Sequence, residues 1–259
     1  MSTPTLAAPL SAVTEKQEFD ALSGGAMVPR PGRTSAAMRR YQFSFLRADG
    51  SVWSGDHIAP ASPIFEAAFS AFAHGTLLAT PKGPVAVQDL APGMEVNAQD
   101  GDAALIKWIG SITLMPGRRH LAQATSRGLF RVIPDAYGVG RPAGNLLMGP
   151  GARLLTRPYA LRDALTHDAV FTPCRDLVDG VHVIEVNPPR AVTVFHLVLE
   201  RHSILLADGI ETESYHPGTG LDRVMDAQTR HIFLSFFPHL RSLTDFGPLV
   251  GAHLPLRGI

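Results

Sequence analysis

From residue 75 onward the chain is interrupted by turn-forming residues every few positions. Gly75–Thr80 runs into Pro81-Lys82-Gly83-Pro84, Val85–Leu90 into Ala91-Pro92-Gly93, and Met94–Ala98 into Asp100-Gly101. Apolar runs this short, broken this often by Gly and Pro, cannot extend as helices. They predict a series of short strands joined by tight turns, and therefore a mainly β fold. The later runs LFRVI, VHVIEV and AVTVFHLVLERHSILLA extend the pattern. In the last of these, Val192, Val194, His196 and Val198 share one face, and Thr193, Phe195, Leu197 and Leu199 share the other. Apolar residues on both faces predict a strand buried on both sides.

The flanks differ in character. Residues 1–38 are rich in Ala, Pro, Ser and Thr without periodicity and are expected to be a flexible lead-in. Two alternating runs around Asp49-Gly50 predict a hairpin with a tight primed turn, giving an N-terminal β extension over 39–69. The spacing in PIFEAAFSAF allows a short helix before residue 70. Past residue 218, Leu221, Val224, Met225, Ile232 and Phe236 recur at roughly helical spacing, so 219–259 is expected to be a helical extension. Phe233, Phe236 and Phe237 would be its core contacts or, if exposed, a protein-binding patch.

Composition excludes several classes. Twenty-three basic residues balance 23 acidic ones, so no basic footprint points to nucleic acid. One cysteine, Cys174, rules out an internal disulfide framework and a thiolate-rich zinc site; it reads as a small buried apolar residue. No apolar run is long enough to span a bilayer. The N-terminus lacks the basic and apolar regions of a signal peptide, and cytoplasm is the default expectation.

GTLLATPKGPVAVQDLAPGMEV (75–96) and FHLVLERHSILLADGIETES (195–214) together resemble the first and last blocks of Hint domains, the fold shared by hedgehog C-terminal regions and inteins. The similarity covers about residues 70–218 and is nearest to bacterial Hint-like proteins. It implies a Hint-like all-β domain and, in active members, self-processing. There a Cys or Ser at the domain's first position attacks the preceding peptide bond, a Thr/Ser-x-x-His polarises and protonates that amide, and in inteins a terminal His-Asn releases the C-terminal segment. In this sequence those positions hold Ala71, then Gly149 and Ala152, then Glu213 and Ser214. A methyl group cannot attack, glycine and alanine carry no donor, and serine cannot cyclise as asparagine does. The resemblance therefore implies a degenerate domain, leaning away from an enzyme and retained as a structural or protein-interaction module. Autoproteolysis or acyl transfer by a hydroxyl near residue 70 is the alternative, with Ser70 or Thr76 as nucleophile and His74 as the nearest base. A third reading is a small-molecule hydrolase using His74 or Asp89.

No cofactor or metal site is expected. His196 and His202, six apart on one apolar run, would lie about 20 Å from each other if the strand continued straight. His216, His231, His239 and His253 lack helical metal-site spacing. Arg153 and Arg157, beside Pro and Gly, read as solvated arginines flanking a strand or as an anion site. Gly138-Val139-Gly140 lacks the rest of a dinucleotide fingerprint and reads as a surface loop. An unidentified protein partner and any oligomeric state stay open.

Overall fold

The computed structural model describes residues 37–99, 101–116, 128–158 and 169–253. The expected lead-in at 1–38 lies almost wholly outside them. The chain is mainly β. In order it forms β1 (Met38–Leu46), β2 (Val52–Pro60), α1 (Pro63–Ala67), β3 (Phe72–Ala73), β4 (Leu77–Leu78), β5 (Val85–Ala86), β6 (Glu95–Asn97) and β7 (Ala103–Leu114). Then come β8 (Leu129–Val132), β9 (Leu146–Met148), β10 (Arg153–Thr156), β11 (Val170–Pro173), β12 (Val183–Val186), β13 (Val192–Leu199), β14 (Ile204–Ala207) and β15 (Ile210–Glu213). Two short helices, α2 (Leu221–Val224) and α3 (Ala227–Ser235), and a final strand β16 (Ala252–His253) complete the described chain.

Two sheets result. One runs β12-β8-β9-β3-β13-β7-β1-β2, with β6 also pairing with β7; the other runs β16-β11-β10-β15-β14-β4-β5. As predicted, β13 is buried on both faces. Leu197 and Leu199 enter an apolar cluster with Ile106, Ile109, Leu154 and Leu205. Val194 and Val198 enter a second cluster with Trp108, Tyr41, Phe69 and Phe236. The period of two thus delivers one strand to two cores.

The hairpin forms, although its turn is wider than the Asp-Gly signal predicts. Five residues separate Leu46 from Val52, and only Gly50 takes a positive φ, +82°. Asp49 accepts from the Ser51 backbone N–H at 2.9 Å and the Ser51 hydroxyl at 2.6 Å. Its side chain thus serves as a local cap instead of entering the left-handed region. Residues Gln42–Phe45 of β1 pair with Trp108–Ser111 of β7, so the hairpin continues the larger sheet.

The C-terminal extension is helical but broken. The chain leaves the helical conformation at Met225 (ψ 132°), and Asp226 caps α3 by accepting from the Thr229 N–H at 2.6 Å. Val224, expected on the apolar face, is exposed, whereas Phe233, Phe236 and Phe237 are fully buried. Phe236 lies between Tyr41, Phe65 and Phe69 of the N-terminal segment, with ring centroids 4.9–5.4 Å apart. The Phe236 carbonyl accepts from the Trp108 indole N–H at 2.7 Å. Both extensions therefore share one aromatic core with β7. We predict that Phe236→Ala lowers unfolding free energy by about 3–5 kcal/mol. Denaturant unfolding of the variant checks this, and a loss below about 1 kcal/mol would show that the aromatic core does not bind the extensions together.

Candidate functional site

The positions singled out by the resemblance converge, although 142 residues separate the first from the last (71 to 213). At the first, Ala71 is buried where the chain enters β3. The Ser70–Ala71 peptide is hydrogen-bonded on both sides. The Ala71 N–H donates to the Phe195 carbonyl of β13 at 2.8 Å, and the Ser70 carbonyl accepts from the Gly151 N–H at 2.8 Å. The Ala71 carbonyl in turn accepts from the Gly149 N–H at 2.7 Å.

This approach demands glycine at both loop positions. A Cβ on Gly149 would lie 2.3 Å from the Ser70 carbonyl oxygen, and one on Gly151 would lie 2.5 Å from that of Ala67. Gly149 thus sits against the junction peptide, and a threonine or serine there would require the backbone to move. Ala152, the other expected position, is buried in the core, and its carbonyl accepts from the Cys174 N–H at 3.0 Å. Cys174 is buried as expected, and burial pushes its thiol up to about 12.

Arg153 links the loop to the third position. Its Nη1 lies 3.0 Å from Glu213 Oε2 at the end of β15. Glu213 is a buried carboxylate whose other oxygen accepts from His202 Nε2 at 2.9 Å and from His253 Nε2. Burial alone would raise its pKa; His202, His253 and Arg153 outweigh burial and hold it well below the carboxylate range. Ser214 forms a bridge with Ser203, donating its N–H to the Ser203 carbonyl at 3.0 Å and accepting the Ser203 N–H on Oγ at 2.9 Å. Arg153 is therefore not the solvated strand-flanking residue expected. Arg157 pairs at the surface with Glu211 at 2.8 Å.

The fallback residues do not assemble. The Ser70 hydroxyl is buried and donates to the Glu66 carbonyl at 2.7 Å. His74 and Asp89 are exposed. Thr76 is buried in a turn, donating its N–H to the Ala73 carbonyl at 3.1 Å. His74 lines a separate groove with Arg131 and Arg190, and neither it nor Asp89 borders the cleft beside Ser70 and Ala152.

Sequence spacing missed the imidazoles that do gather here. His196 does not meet His202: its Nδ1 donates to the Ala67 carbonyl at 3.0 Å, and its ring lies 5.0 Å from that of Tyr215. Its buried Nε2 has no hydrogen-bond partner among the described residues. His202, His216 and His253 cluster with ring centroids 5.0–6.5 Å apart. The only early sign of His196 was a polar residue midway along a strand apolar on both faces. Nothing local marks His253, which reaches Glu213 across 40 residues.

His202, Glu213 and His253 place ligand-type atoms within 4.8 Å of one another. However, His202 Nδ1 accepts the Val250 N–H at 3.1 Å. A neutral imidazole with that nitrogen accepting carries its proton on Nε2, facing Glu213. That arrangement is a hydrogen-bonded cluster and leaves His202 without a lone pair for an ion.

His196, His216 and His239 are each depressed to about 4, principally by burial. Their unfolded values lie near 6.5. For a base with a lowered folded pKa, the unfolded chain takes up the proton first as pH falls. Stability is then fully present above about pH 6.5 and is lost between there and about 4. We predict that the unfolding free energy falls between about pH 6.5 and 4, by as much as about 1.4 kcal/mol per pH unit for each such histidine, read from denaturant titrations across that range. His196→Leu should flatten that slope; an unchanged slope would contradict the buried-neutral assignment.

The sequence model of the Hint domain family matches residues 70–219, more than half of the chain, and the protein belongs to that family. Among solved structures it is similar to the MchDnaB-1 intein in its N145AA form, at 14% identity and a TM-score of 0.35, over 56% of this chain and 98% of that one. The MchDnaB-1 intein itself and the Msm DnaB1 intein splicing domain bound with zinc are each similar at 16% identity and a TM-score of 0.32, over 56% of this chain and all of theirs. No curated protein matches. The described residues include no helix long and apolar enough to cross a membrane.

Proposed function

We propose that this Hint domain does not process itself and is retained as a structural module. One observation carries the reading: the junction peptide is hydrogen-bonded on both sides, and the residue at the attacking position is Ala71. Self-processing needs a nucleophile, a polarising group at the carbonyl and a proton donor at the leaving nitrogen. Ala71 lacks the first, and Gly149 and Ala152 offer no side-chain group for the others. The leaving nitrogen's own N–H is committed to Phe195. Ser70, the neighbouring hydroxyl, is committed to the Glu66 carbonyl. A role as a docking surface loses its best candidate, because the aromatic residues of α3 and its C-terminal end are buried against the hairpin.

The test is intact-mass spectrometry of the protein behind an N-terminal fusion, incubated from neutral to mildly alkaline pH with thiol or hydroxylamine. One unchanged mass is expected. A fragment beginning near residue 70 would overturn the reading and favour a hydroxyl nucleophile. Ala71→Cys is also expected to give no hydroxylamine-sensitive product, because three positions are altered and not one. Rapid cleavage by that variant would show that only the thiol was missing.

A further inference from the structure

The geometry points to the cleft beside the junction as a binding site for a small organic carboxylate. The cleft has a volume of about 280 Å³ and lies between α1, the Gly149–Arg153 loop and Tyr215. Ile64, Phe130, Pro150 and Leu221 contribute an apolar wall. Its volume suits a ligand on the order of ten non-hydrogen atoms.

Among the polar groups around it are donors with hydrogens not used within the fold. Tyr215 borders the cleft, and its hydroxyl, which is not sealed from solvent, makes no hydrogen bond to the described residues. Burial, only partly offset by Arg153, keeps that phenol protonated, so it is a standing donor. Arg153 uses Nη1 on Glu213, which fixes the guanidinium in place and leaves its other N–H groups. Arg175 stands at the rim, 3.9 Å from Asp176, with its side chain largely exposed.

Several acceptors nearby are engaged within the fold, while Glu66 also brings a carboxylate to the lining. Glu66 is paired with Arg39 at 2.6 Å, and the Ser70 hydroxyl is bonded to the Glu66 backbone. His216 both donates to the Gly247 carbonyl and accepts from the Gly218 N–H, each at 3.0 Å, and is held neutral by burial. An accessible hydroxyl without a partner in the fold and two guanidinium groups favour an acceptor-only ligand with two oxygens, which a carboxylate supplies. The apolar wall calls for a hydrocarbon body behind it.

Calorimetric titration with hexanoate and phenylacetate, against hexanamide and phenylacetamide, tests this on protein of confirmed intact mass. The inference rests on the cleft and not on the absence of processing, so the two readings can fail separately. The acids are expected to saturate and to bind at least about tenfold more tightly than the amides. Tyr215→Phe is expected to weaken the acids about five- to tenfold without changing the melting temperature, because its hydroxyl bonds to nothing in the fold. Arg175→Ala, an exposed position, should weaken them as well. A dipeptide with a free terminus, compared with its amidated form, separates a chain terminus from a free acid; preference for either acid form supports the site. Equal affinity for acids and amides, absence of saturation, or wild-type affinity in both variants would overturn it.

Discussion

The contact on which the site depends is the close approach of the Gly149–Gly151 loop to the backbone at Ser70 and Ala71. Two N–H groups of the loop satisfy two successive carbonyls, while β13 takes the Ala71 N–H. Leaving such groups buried and unpaired would cost on the order of 1–3 kcal/mol each. The approach is close enough that a Cβ at either glycine would meet a backbone oxygen. The same contact positions α1, whose Ala67 carbonyl accepts from His196, and starts β3 between β9 and β13. Here the N–H and both carbonyls of the junction are held by three backbone hydrogen bonds.

Glu213 is the second organising group. It draws together Arg153 at the start of β10, His202 between β13 and β14, and His253 in β16. A buried ion pair is weak evidence of net stability, because desolvation offsets much of the attraction. Its consequence is positional: it holds the Arg153 guanidinium at the wall of the cleft. It also ties the end of the C-terminal extension to the domain, far from the aromatic core that anchors α3.

How much of this could be read in advance follows from the range of each interaction. The double burial of β13 was legible because alternation along one strand is a local signal. The convergence of positions 71, 149–152 and 213 was legible only through resemblance, since no spacing rule connects them. The Asp49-Gly50 turn is wider than the dipeptide predicts because Asp49 spends its side chain on Ser51, a choice that the dipeptide does not reveal. The helical spacing puts Val224 on a continuous face, which Asp226 interrupts by capping a new helix. Arg153 and His253 were out of reach: their roles come from one buried carboxylate, and burial of Glu213 is a property of the assembled sheets.

The most direct test of the account is native-state hydrogen exchange at the amides of Ala71, Gly149 and Gly151. If these hydrogen bonds lock the junction, all three exchange only through global unfolding, in the slowest class with β7 and β13. Faster exchange through a local opening confined to these residues would show a mobile junction, and would contradict the claim that its backbone is locked.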